Sequence, residues 1–198
     1  MIECKNISLS FEDHLVFKDF NLKIEKGESV CISGDSGKGK STLLKLMQGF
    51  ELIDEGSIVI DDIQQSESTI QTIRNKITWI PQNINLPVKN GIELMELLHV
   101  EDEKEQVYGF LKQLGVDENN FIKDFTEISG GQKQRIIIAI CLSLDNEIIL
   151  MDEPTSSLDE NSIQLLIQLI QNLKRKTIVS ASHNASWLKS VDRVISLG

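Results

Sequence analysis

Residues 34–42 read GDSGKGKST, between the apolar stretch SVCIS (Ser29–Ser33) and a run with helical spacing, Ser41–Phe50. Gly34, Gly39, Lys40 and Ser41 match the pattern G-x-x-x-x-G-K-[ST]. The chemistry needs those residue types at that spacing. Glycines let the backbone fold so that several N–H groups converge on a phosphate. A lysine at the helix start reaches the terminal phosphates, and the following hydroxyl suits Mg2+. The loop therefore demands a strand before it and a helix after it, which the flanking patterns supply. Ser36, Gly37 and Thr42 belong to the same nucleotide-binding loop. Lys38 lies in it too, at an unspecified position of the pattern, and its side chain reads as a solvated surface lysine.

The rest of the chain supplies a sheet for this loop. Ile2, Cys4 and Ile7–Phe11, then Val16–Ile24, read as short strands, as do Gly56–Asp61 and Ile77–Ile80. From residue 130 onward helix and strand alternate: a helix over Gly130–Leu144, an apolar strand Ile148–Met151, an amphipathic helix Ser162–Leu173, and strands Thr177–Ala181 and Val194–Leu197. Such alternation implies a parallel sheet covered by helices. A polar insert, about 85–127, carries helical spacing over Ile92–Leu98 and Glu103–Leu114, with Gly115 as a stop.

Composition closes off some functions. The net charge of −10 disfavours tracking a nucleic-acid backbone or adsorbing to an anionic membrane. No apolar stretch is long enough to span a bilayer, so no direct membrane insertion is expected. The start, MIECKNISLS, does not look like a signal peptide, and a cytoplasmic protein is expected. Cys4, Cys31 and Cys141 are widely spaced and read as reduced core thiols.

Two further segments carry chemistry. EIILMDEP runs four apolar residues into Asp152 and Glu153. Carboxylates at the end of a buried strand are costly without a task, and ligand sites of parallel sheets lie at strand C-termini. Asp152 suits ordering of Mg2+, and Glu153 suits a general base acting on water. The second segment, ISGGQKQR (Ile128–Arg135), puts two glycines at a helix start, which favours an anion.

Together these residues resemble the nucleotide-binding subunit of ATP-binding cassette (ABC) transporters, over nearly the whole chain and in the family's order. GDSGKGKST resembles its Walker A loop, Gln82 in WIPQN its Q-loop glutamine, and ISGGQ its signature, with Ile128 where leucine is usual. IILMDE resembles Walker B, SSLD with Asp159 the D-loop, and His183 in SASHN the switch histidine. The resemblance implies an α/β fold: a P-loop NTPase core with a parallel sheet, an antiparallel β subdomain and a small helical subdomain at about 85–127, all in one domain. It implies ATP and Mg2+ as ligands, with Glu153, His183 and Gln82 catalytic and Ser41, Gln82 and Asp152 around the metal. It implies head-to-tail homodimers in which Ser129, Gly130, Gly131 and Gln132 of one copy bind the γ-phosphate held by the other. Phe11 is expected to stack on adenine, whereas Phe17 and Phe20 read as core.

A separate membrane permease is implied as partner, holding the chain at the cytoplasmic face of the membrane. The groove for that partner has Leu86, Val88, Ile92 and Met95 as apolar candidates. Only fifteen residues follow His183, and this compactness tilts the expectation toward export. Two alternatives remain at this level. One is a non-transport ABC ATPase serving a soluble assembly such as iron–sulfur cluster formation. The other is a P-loop GTPase switch or small-molecule kinase; NKIT at Asn75–Thr78 resembles a guanine-reading motif, but Thr78 stands in place of the aspartate needed and the segment lies far too early in the chain.

Overall fold

The computed structural model describes residues 1–12, 14–82, 87–173 and 175–198. Leu86, one of the groove candidates, lies outside the described residues. The chain begins with β1 (Ile2–Phe11) and β2 (His14–Ile24), followed by β3 (Ser29–Ser33) and α1 (Lys40–Met47). Then come β4 (Glu55–Ile60), β5 (Ile63–Gln64), α2 (Ile70–Arg74) and β6 (Ile77–Ile80). Three helices follow: α3 (Gly91–Leu98), α4 (Lys104–Gln113) and α5 (Glu118–Ile122). The chain closes with α6 (Gly130–Ser143), β7 (Ile148–Asp152), α7 (Glu160–Asn172), β8 (Thr177–Ala181), α8 (Ala185–Leu188) and β9 (Arg193–Ser196).

Two sheets result. The first is antiparallel, with strand order β2-β1-β4-β5. The second is parallel, with order β6-β7-β8-β3-β9. The α/β fold class expected from the sequence is the one observed. Alternation along the central strands explains how the layers pack, because successive strand side chains point to opposite faces. On β7, Ile148 and Leu150 join the cluster holding α1 and the antiparallel sheet. Its Ile149 and Met151 join the other cluster, with α6, α7 and Trp187. Both faces are covered, so every residue of β7 and β8 is buried, which accounts for their unbroken apolar character. The three cysteines are buried and unpaired, and burial pushes the thiols of Cys4 and Cys141 up to about 12.

Caps set the helix boundaries. Asn90 accepts from Glu93 N, Asp159 from Ser162 N, and Asn184 from Trp187 N. The helix expected to run from Ser41 to Phe50 stops earlier, at Met47. Gly49 adopts φ 64° there, and Arg74 caps the free carbonyls of Gln48 and Gly49 at 2.9 Å each. The short elements β5, α2, α5 and α8 were not anticipated, because two to five residues do not complete a readable period. Helices α3 to α5 lie in the expected insert and share a core, where Phe121 packs close enough to Gly91 that a Cβ would sit 2.3 Å from its ring.

Candidate functional site

Four neighbouring strands end on one edge of the parallel sheet, and each delivers part of the site. The loop follows β3, Gln82 lies two residues past β6, Asp152 and Glu153 end β7, and His183 lies two past β8. They surround a cavity of about 560 Å3 lined by Gly34, Asp35, Ser36, Gly37, Gly39, Lys40, Ser41, Thr42, Gln82, Glu153 and His183. This is where an open parallel sheet places ligands.

The loop is shaped for anions. Gly39 precedes α1 with φ 87°, and no side chain caps the helix start, which leaves its first N–H groups free of intrahelical partners. A Cβ on Gly39 would meet Val16 Cγ1 at 2.7 Å, so the loop rests tightly on β2. Lys40 curls over the loop and donates to the carbonyls of Gly34 (2.8 Å) and Asp35 (3.0 Å).

Ser41 Oγ donates to Asp152 Oδ1 at 3.0 Å across 111 positions of sequence. Burial pushes the Asp152 carboxyl above its usual range, with the charge of Glu153 adding to the rise and the Ser41 hydroxyl, Lys40 and Lys45 opposing it. A cation there would stabilise the ionised form. Two hard oxygen donors fit Mg2+, which takes few protein ligands and keeps water and substrate phosphates for the rest. Among the described residues no cluster of three or more His, Cys, Asp or Glu side chains offers an all-protein metal cage.

Glu153 is 8% exposed, with its backbone at φ 46°. Its Oε1 lies 3.0 Å from His183 Nδ1, and its Oε2 is buried with no hydrogen-bond partner. A carboxylate oriented on one side and free to accept on the other is the arrangement a general base requires.

Other expected residues lie elsewhere. Phe11 is 44% exposed and does not line the cavity. It pairs with His14, which lines an adjoining depression of about 410 Å3 together with Leu15, Val16, Ser36, Gly37, Lys38 and Gly198. Lys38 thus faces this depression and not the cavity. Asp35, which the sequence reading did not single out, does line the cavity; it occupies a free position of the loop pattern, so no signal marked it. Asp159 caps α7, and the N–H of Ser162 holds its carboxyl below the usual range.

The ISGGQ segment is outside the cavity altogether. Ser129 caps α6 in a reciprocal box with Gln132: Gln132 N donates to Ser129 Oγ at 3.2 Å, and Ser129 N donates to Gln132 Oε1 at 3.0 Å. Ser129 and Gly130 are exposed. The two glycines differ. A Cβ on Gly130 has open space, its nearest neighbour being Ser157 Cβ at 4.0 Å, whereas one on Gly131 would collide with Ser157 O at 2.7 Å. Gly131 is therefore required by packing within the chain, and a substitution there would disturb the D-loop as well.

A family model described as "ABC transporter" matches residues 17–156. The chain belongs to the ABC transporter family. Among its curated relatives is the methionine import ATP-binding protein MetN of Clostridium acetobutylicum, 36% identical over 100% of this chain and 65% of that protein. Another is the glutamine transport ATP-binding protein GlnQ of Bacillus subtilis, 34% identical over 98% of this chain and 86% of that protein. An ATP-binding cassette solved as a dimer with ADP and Pi superposes with a TM-score of 0.88 at 30% identity, covering 100% of this chain and 94% of that one. As an ABC cassette, the chain is an ATPase, and the GTPase alternative falls away. No helix among the described residues is long and apolar enough to cross a membrane.

Proposed function

We propose that this chain is the ATP-hydrolysing motor of an ABC transporter, working as a head-to-tail dimer on a separate membrane permease. The observation that carries it is the division of the site. One cavity collects the phosphate loop, Gln82, Glu153 and His183, while the anion-favouring start of α6 lies outside that cavity, exposed on the surface. A second copy supplies that missing wall.

In the bound state Lys40 and the loop N–H groups hold the β- and γ-phosphates. Ser41 and Asp152, with Gln82 nearby, hold Mg2+, which neutralises phosphate charge. Glu153 Oε2 accepts a proton from the attacking water, and His183 keeps the carboxylate aimed through Oε1. The base of ATP extends over the β1–β2 hairpin, where Phe11 offers its exposed ring for stacking. Ser129, Gly130, Gly131 and Gln132 meet the γ-phosphate of the second copy. The N–H groups of Gly130 and Gly131 do this, since those of Ser129 and Gln132 already donate to each other's side chains. Asp159 helps to shape the same interface by starting α7. Residues about 85–127 form a helical subdomain inserted in one ATPase domain.

Relatives named for import and transport favour a transport role over a soluble assembly, and import over the export suggested by the chain's compactness. Val88 and Ile92 remain candidates for the permease groove, Ile92 being 45% exposed; Met95, also expected there, is buried at 4% and packs in the core of the insert.

Two measurements test the reading. Gly130→Asp should abolish ATP-dependent dimerisation and turnover while leaving ATP binding to the single chain and its Tm unchanged, because the added carboxylate meets solvent in one chain and phosphate in the dimer. A tagged chain purified from detergent-solubilised membranes should bring down a multi-span membrane protein over an untagged control. Recovery of soluble partners alone would instead favour the assembly role.

A further inference from the structure

α6 carries more than its exposed start. Its fifth residue, Gln134, turns inward and is 5% exposed. Gln134 Nε2 donates to the backbone carbonyl of Pro154 at 2.9 Å. That bond fixes which way the amide faces, since a carbonyl can only accept. Gln134 Oε1 is then left buried without a partner. A buried acceptor with no donor costs stability, so a methionine of the same length would serve packing at least as well. The amide needs another explanation, and Pro154 supplies one.

Pro154 follows Glu153, whose φ of 46° lies in the left-handed region that non-glycine residues avoid. Such a conformation persists only where the surroundings hold it. On one side β8 holds it: Glu153 N donates to Ala181 O at 2.8 Å, and Thr155 Oγ1 lies 3.4 Å from Ser182 Oγ. From α6, Gln134 holds the carbonyl between Glu153 and Thr155.

We propose that Gln134 is a positioning residue that fixes the turn carrying Glu153 and ties it to the α6 start that grips the second copy's phosphate. The inference rests on the reading of Glu153 as general base. Gln134 lies little more than one helical turn from Gly130, so any shift of α6 on dimer closure reaches Pro154 directly. Each chain's grip on its partner's nucleotide then adjusts the aim of its own glutamate.

The test is Gln134→Met, which keeps length and removes the donor, with Gln134→Leu as a second variant. Steady-state ATPase kinetics and Tm are measured in the natural background and with Glu153→Gln. A carboxylate displaced by about 1 Å should lower kcat roughly 10- to 100-fold, with KM for ATP and Tm unchanged. With Glu153→Gln present, the same change should cause no further loss. Equal fractional losses in both backgrounds, a raised KM with intact kcat, unaltered kinetics, or a fall in Tm that tracks the lost rate in both variants would each overturn the proposal. If Glu153→Gln alone leaves kcat intact, the general-base reading fails first and the proposal falls with it.

Discussion

Glu153→Gln should lower kcat for ATP hydrolysis by about 100- to 10,000-fold, the range that a positioned general base contributes. The substitution is nearly isosteric. It keeps an oxygen or nitrogen within reach of His183 Nδ1, which stands 3.0 Å from the carboxylate, so the turn after β7 should survive. What disappears is the capacity of the buried, unpartnered Oε2 to take a proton. In the proposed mechanism the loop and α1, and not this carboxylate, contact the phosphates, so ATP affinity should hold or rise with removal of a negative charge beside the cavity. Single-turnover assays with labelled ATP, alongside equilibrium binding, separate the two effects. A variant that hydrolyses ATP at the natural rate would remove Glu153 from the chemistry.

Lys40→Ala should lower kcat by about 100- to 1,000-fold, as the loss of one preorganised donor to a developing charge does, and should weaken ATP binding as well. Lys38→Ala should change neither by comparison. The two lysines are two positions apart but face different spaces. Lys40 Nζ sits on the carbonyls of Gly34 and Asp35 inside the cavity, whereas Lys38 faces the neighbouring depression by His14 and Val16. The paired assay is internally controlled, since both variants remove one positive charge from the same loop. Equal losses would mean that the loop is gripped through overall charge and not through Lys40.

Much of this site is legible in the residues because strand ends and motifs coincide. The apolar run into Asp152 places that carboxylate at a strand terminus, and the loop places Lys40 and Ser41 at a helix start. Which ends become neighbours is a different matter. Ser41 meets Asp152 only because β3 and β7 both pair with β8, and local pattern carries no strand order. The same holds for Glu153 and His183, brought together by the β7–β8 register that sets Asp152 opposite Ala181. Gly131 shows a different gap. A glycine at a helix start reads as an anion contact, but here the D-loop carbonyl of Ser157 also excludes a side chain. Gln134 gave no signal, because a glutamine at an inward helix position looks like any polar residue until its partner is known. Short helices such as α8 escaped for lack of a full period, though the Asn184 cap that starts α8 is itself a readable residue.

In the proposed mechanism ATP joins two copies of this chain, each completing the other's site. Light scattering on Glu153→Gln, with and without ATP, decides whether it does. The protein should be a monomer without nucleotide, a dimer with ATP, and a monomer again when Gly130→Asp is added to the same chain. A Glu153→Gln protein that binds ATP and stays monomeric, or a dimer indifferent to Gly130→Asp, would contradict it.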